Sequence, residues 1–520
     1  MTTELHHTHK KTASIPPIIW LVICVGIGLG IRVWASVTQP LFSDEAFSLY
    51  EIRFWQFPYD PSYPPGYPLF LKLWTGASDE LLWARVPSVI AGTLSILVFW
   101  KILIRYFSPR TAGIGTLLLS LSALHIHYSW IARPNSITAL IELLSLSQLF
   151  GIADQVKKKT LPTTRTLLQY FVTNAVGAFF SHGYSIFLAG SFATLAIWFL
   201  RYFTKKTLLD SFRSGIILLS LHLILPIMQY FFIHGRVGPL VESAEWIPTF
   251  TVYSITSAFL ALFNGAKTLT SEMWTAASIT VYFTLMILII LGRLFASFLK
   301  KHHQFAALLF VVGIGTTLVG VGILDIVLGM NTLQPRLLLF LHMLYIMGLA
   351  VTLPELASAW RRRLRRYTYE TLFLLVLLAF NVRSLIKLNL MPFYNTQENI
   401  RVVTALKNAP DTTLLVFPRY QTLTVKYLWG LDDPYPRALV ANDRIHALPQ
   451  DASATQIAQL VPSEKPLTIL LWPYDAILPS APRHFVERVS PRCKKNTYSN
   501  LAILNCPPDT HTDVVYEEIR

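Results

Sequence analysis

Apolar runs of bilayer length recur along this chain, and no other feature restricts its fold as severely. They fall near residues 18 to 36, 84 to 104, 111 to 127, 136 to 153, 166 to 181, 184 to 203, 214 to 233, 276 to 298, 304 to 329, 337 to 353 and 370 to 388. A hydrocarbon core of about 30 Å is crossed by about 20 apolar residues in helical conformation. The chain therefore reads as a polytopic α-helical membrane protein with about eleven transmembrane helices. With 53% hydrophobic and 14% charged residues and a mean hydropathy of +0.46, the 520-residue composition excludes an ordinary soluble enzyme.

The formal charge of +15 would raise the question of nucleic acid in a soluble protein. Here its placement explains it. Lys and Arg number 19 in alternate connections (1 to 17, 105 to 110, 154 to 165, 201 to 213, 300 to 303, 361 to 366) and 7 in the opposite set. The positive-inside rule then makes the amino terminus cytoplasmic and sends everything after the last span to the exoplasmic side. No nucleic-acid partner is implied. The first apolar run exceeds a signal-peptide h-region, so it is expected to remain as an anchor. The division expected is a cytoplasmic tail at 1–17, a transmembrane domain at 18–389 with an exoplasmic loop at 37–83, and an exoplasmic domain at 390–520. In that last part "TTLLVFPRYQTLTVKYLWG" and "PLTILLWPYDAIL" are β-rich runs after a helical "NIRVVTALKNAP", which predicts a small α/β domain. It holds Cys493 and Cys506, a disulfide candidate in an oxidising compartment; the third cysteine, Cys24, lies in the first span.

The first exoplasmic loop opens "LFSDEAFSLYEIRFW" and continues "FPYDPSYPPGYPLFLKLW". Asp44 and Glu45 stand a few residues beyond the first span, at the membrane surface, where a carboxylate escapes the cost of about 2.5 to 3.5 kcal/mol met at a helix centre. They can also serve simply as acids favoured at the start of a short interfacial helix. Pro58, Pro61, Pro64, Pro65 and Pro68 with Tyr59, Tyr63 and Tyr67 make the following segment stiff and aromatic. On the same predicted face lie "ALHIHYSWIARPNSITAL" with His125, His127, Tyr128 and Arg133, "FFSHGYSIF" with Ser181, His182 and Tyr184, and "NTLQPRLLLF" with Arg336. Each alone reads as an anchor or core residue. Together they place carboxylates and separated cations at one membrane surface, which suits an anionic, lipid-linked substrate.

Moving a sugar from a polyprenyl phosphate requires a base for the acceptor hydroxyl and charge stabilisation for the departing phosphate. A glycosidase needs a second, opposed carboxyl group, and a zinc hydrolase needs His and Cys at ligand spacings; neither pattern stands out. No nucleotide-binding glycine motif is evident.

The acidic pair, "YPPGYPLFLKLW", "ARVPSVIAGTLSILVFW", "YSWIARPNSITAL" and "LQPRLLLFLHMLYIMGLA", taken in order, resemble the GT-C superfamily of polyprenyl-phosphate-sugar glycosyltransferases. The similarity is to relatives of the protein O-mannosyltransferases and of the lipid A aminoarabinose transferase, over about the first 350 residues. The resemblance implies that Asp44 is the catalytic base and that Glu45 orients the acceptor or shapes the site. It implies that Arg133 and Arg336 hold the donor phosphate and that His182 contacts phosphate or acceptor. Tyr63, Tyr67, Tyr128, Tyr184 and Asp325 become candidates for the substrate cavity. Two positions depart from the pattern: Ile131 stands where many relatives carry Glu, and Tyr63 where they carry His. No metal and no other cofactor are expected, although some members of the superfamily use a divalent cation.

The expected function is an inverting, mannosyltransferase-like glycosyltransferase of a plasma (inner) membrane. Its partners would be a polyprenyl-phosphate-linked sugar, membrane lipids and an acceptor that is lipid, glycan or protein. The alternatives are a transporter or lipid flippase, whose sites lie near the bilayer midplane on discontinuous helices, and a scaffold whose tail is the binding module. The spans carry few ionisable residues, Asp325 and Arg383 among them.

Overall fold

The computed structural model describes residues 16–39, 41, 43–53, 64–202, 304–327 and 339–359. Toward the carboxyl end it describes 397–408, 412–417, 440–442, 445–447, 466–471, 489–498 and 501–507, plus scattered positions between 375 and 487. The expected spans at 214 to 233 and 276 to 298, most of 370 to 388, and the residues Tyr63 and Arg336 lie outside the described residues.

Four described helices have the length and apolarity to cross a bilayer: α1 (Pro17–Thr38), α4 (Leu81–Tyr106), α7 (Asn135–Lys157) and α9 (Tyr184–Tyr202). Two short helices, α2 (Ser43–Arg53) and α3 (Gly66–Thr75), stand between α1 and α4. The remaining described helices of the apolar region are α5 (Pro109–Ser120), α6 (Ala123–Trp130), α8 (Thr164–Phe180), α10 (Gln304–Val327) and α11 (Leu339–Ala359). The single helix expected over 111 to 127 is two. Leu121 ends α5, and the Ser122 side chain accepts the backbone N–H of His125 at 3.2 Å to cap α6. Hydropathy is blind to this break because both pieces are apolar; the signal is the serine, whose side chain offers the backbone an alternative partner.

The chain divides into two compact units that are discontinuous in sequence. One comprises Met1–Trp34, Ser88–Trp130 and Asn135–Leu385; the other comprises Ala35–Pro87, Ile131–Pro134 and Ile386–Arg520. The core of the first unit is a continuous cluster from α4 to α11, with Phe99, Leu103, Leu119, Leu146, Trp198, Phe310 and Met343 among its buried residues. In α8 the apolar side chains Leu168, Val172 and Val176 are exposed at four-residue spacing, while Tyr170, Asn174 and Gly177 are buried. A helix that hides its polar stripe and presents leucine and valine outward is arranged for a hydrocarbon solvent.

The second unit contains a six-stranded sheet in the order β2-β3-β1-β4-β6-β5. Its strands are β1 (Thr413–Phe417), β2 (Val440–Asn442), β3 (Ile445–Ala447), β4 (Leu467–Leu471), β5 (Lys494–Tyr498) and β6 (Leu501–Cys506). β1 runs parallel to β3 and β4, and the other pairings are antiparallel. β4, "LTILL", is buried along its whole length, as a central strand covered on both faces must be. The edge strand β5 begins with the exposed Lys494 and Lys495, charges that discourage further strand addition. α12 (Gln397–Ala405) lays Val403 on Leu414, Val416, Leu470, Leu501 and Ile503. The β5–β6 register pairs Lys494 with Asn505, so the next positions outward, Cys493 and Cys506, face each other, and they form a disulfide.

Candidate active site

Helix α2 determines what the acidic pair can do. Its buried positions include Glu45, Ser48, Leu49 and Ile52, one stripe at spacings of three and four. Asp44 lies one residue off that stripe and is half-buried, whereas Glu45 is 0% exposed. Glu45 meets a cation that the sequence reading did not single out. Arg85, near the start of α4 and 1% exposed, donates from Nε to Oε1 at 2.8 Å and from Nη2 to Oε2 at 2.6 Å. Its Nη1 donates to the carbonyls of Ser36 and Gln39 at 2.7 and 2.8 Å, at the carboxyl end of α1. Glu45 Oε1 also accepts the backbone N–H of Ala132 at 2.8 Å.

Arg133 occupies the irregular segment between α6 and α7, just before Pro134. It is 4% exposed, and its Nη1 donates to the backbone carbonyl of Asp44 at 3.1 Å and to Ser48 Oγ at 2.7 Å. The acidic pair and Arg133, which is distant in the chain, thus come together in the second unit. Both oxygens of Glu45 are committed to buried partners. The sequence held a signal for this, since only Glu45 shares a helical face with Leu49 and Ile52. Arg85 also left a trace, because a cation near a helix amino terminus opposes the helix dipole and calls for an acid.

The other candidates distribute as follows. Tyr67 in α3 is 4% exposed, and Tyr184 at the start of α9 is 0% exposed, its hydroxyl donating to Asn174 Oδ1 at 2.8 Å. Tyr128 is half-buried in α6, edge-on to His127 with ring centroids 5.1 Å apart. His182 is half-buried in the turn between α8 and α9, in the first unit. Asp325 lies on α10, its side chain outside the described residues.

The first unit carries a second polar assembly. Arg32, fully buried in α1, donates from Nη1 to the Gly28 carbonyl at 2.7 Å and from Nη2 to His125 Nδ1 at 2.8 Å. An arginine only donates, so His125 is neutral with its proton on Nε2. Ser122 Oγ lies 2.5 Å from His342 Nε2 on α11. Among the described residues no three His, Cys, Asp or Glu side chains converge to hold a metal ion.

The fold is similar to that of solved membrane glycosyl-transferring proteins. The structure matches ArnT from Cupriavidus metallidurans in the apo state with a TM-score of 0.55 at 10% identity, over 95% of this chain and 99% of that one. It matches the same protein bound to undecaprenyl phosphate with a TM-score of 0.53 at 11% identity, over 94% of this chain and 98% of that one. At such identities the likeness is one of fold. The Archaeoglobus fulgidus oligosaccharyltransferase in complex with zinc and sulfate aligns with a TM-score of 0.44 at 14% identity over 79% of this chain, which spans 61% of the length of that protein. No protein-family model matches the sequence, and no curated protein matches it significantly.

Proposed function

We propose that this protein is an inverting glycosyltransferase that moves a sugar from a polyprenyl-phosphate donor to a hydroxyl acceptor at the exoplasmic membrane face. The observation that carries the reading is the division of labour in the acidic pair. Glu45 is buried in an ion pair, while the half-buried Asp44 stands beside it on a backbone held by Arg133. Asp44 removes the proton from the acceptor hydroxyl as its oxygen attacks the anomeric carbon. The bond from that carbon to the phosphate oxygen breaks on the opposite side, and polyprenyl phosphate leaves with the electron pair. Charge grows on the departing phosphate, and a guanidinium is suited to receive it; Arg133, which holds the Asp44 backbone, takes that role.

Two further observations support the reading. A chain matched along almost its full length shares its fold with a protein seen bound to undecaprenyl phosphate, and the disulfide between Cys493 and Cys506 fits an exoplasmic tail. The carboxyl-terminal sheet is then an exoplasmic α/β domain. A polytopic transporter remains the competing class, and one experiment separates them. Purified protein in lipid nanodiscs is given radiolabelled undecaprenyl-phosphate sugars, and release of undecaprenyl phosphate is followed. Turnover lost in Asp44→Asn supports transfer. Turnover unchanged in that variant removes the assignment of the base, and movement of label across a vesicle membrane without covalent change establishes transport.

A further inference from the structure

We propose that Arg85 and Glu45 are positioning residues for the base, forming a buried fork that fixes where Asp44 stands; this rests on the reading of Asp44 above. Three separate chain segments converge, directly or through Arg85, on two adjoining residues of α2. The carboxyl end of α1 reaches Arg85 Nη1 through Ser36 and Gln39, and α4 supplies Arg85 itself. The segment before α7 reaches Glu45 through the Ala132 N–H and reaches the Asp44 carbonyl and Ser48 through Arg133. Asp44 is thereby gripped on both sides: by its own carbonyl, and by the side chain of the residue that follows it.

A planar guanidinium fork fixes orientation as well as distance, which an ammonium does not. A catalytic group displaced by about 1 Å loses on the order of a hundredfold in rate.

The trivial reading, that the pair only holds the fold together, makes a different prediction. Replacing a buried ion pair by apolar side chains of similar volume is often neutral for stability, so packing and positioning can be separated in the full-length protein. The double variant Glu45→Leu with Arg85→Met is assayed in nanodiscs with the same radiolabelled undecaprenyl-phosphate sugars, beside Glu45→Gln, Arg85→Lys and Asp44→Asn. We expect the double variant to melt close to the wild type while kcat falls by about a hundredfold and donor KM changes less than about threefold. Arg85→Lys, which keeps the charge and loses the fork, should recover part of that loss.

A double variant with kcat within about threefold of the wild type, or with its loss confined to KM, overturns the proposal. If the double variant does not fold, Glu45→Gln decides by the same division between kcat and KM. Asp44→Asn keeps the two claims apart. Its unchanged turnover removes the functional reading itself, whereas an inactive Asp44→Asn beside a fully active double variant removes only the positioning role.

Discussion

Among the described glycines, Gly92 on α4 leaves the least room for a side chain. A Cβ built there would overlap Ser129 Oγ and Cβ on α6 and lie 3.0 Å from Arg32 Nε. Ordinary carbon contacts lie at about 3.5 to 4.0 Å. Ser129 cannot turn away, since its own Cβ is one of the overlapping atoms, so in Gly92→Ala the backbones of α4 and α6 must part by about 1 Å. That separation presses on the Arg32 guanidinium, whose Nη2 holds His125. Overpacking of this kind costs about 3 kcal/mol at the upper end of its usual range. Alanine in place of a helical glycine returns about 1 kcal/mol. The net expectation is a loss of about 2 kcal/mol, roughly thirtyfold in the folded-to-unfolded ratio. Gly26→Ala and Gly30→Ala on α1 are the internal controls. A Cβ there meets nothing within 4 Å, so those variants should be neutral or slightly more stable. Thermal melting of the purified full-length protein in one detergent reads all three. Gly92→Ala melting at or above the wild type, alongside unchanged Gly26→Ala, would refute the steric argument.

In the network of α7, α8 and α9, Asn174 Oδ1 accepts from both Tyr184 Oη and Ser145 Oγ at 2.8 Å. Tyr184→Phe leaves the amide oxygen one donor and should cost about 0.5 to 1.5 kcal/mol, the usual worth of a hydrogen bond between membrane helices. Asn174→Ala strands two hydroxyls at once and should lower the melting temperature further; the reverse order would show that the network contributes little. Replacing Cys493 and Cys506 with serine opens a loop spanning 13 positions. A cross-link of that length is worth about 3 kcal/mol, so the carboxyl-terminal part should become sensitive to limited proteolysis while the helical part keeps its cleavage pattern. Equal proteolysis with and without the disulfide would refute this.

Hydropathy and charge bias, read along the chain, determined the membrane class and the approximate limits of α1, α4, α7 and α9, because lipid imposes its requirement on each helix separately and locally. The serine that splits α5 from α6 and the helical phase of α2 are local too, and both were legible in principle: Glu45 falls in step with Leu49 and Ile52, and Asp44 does not. What only the tertiary structure decided is the identity of partners far apart in sequence. Forty residues separate Arg85 from Glu45 and ninety-three separate Arg32 from His125, and no periodicity within a segment encodes which guanidinium reaches which acceptor. The same holds for Tyr67 and Tyr184, whose place in the core depends on what packs against them, and for Gly92, whose need to be glycine comes from a serine on another helix. Partner choice between helices depends on how their faces fit in space, and that geometry exists only once the chain has packed.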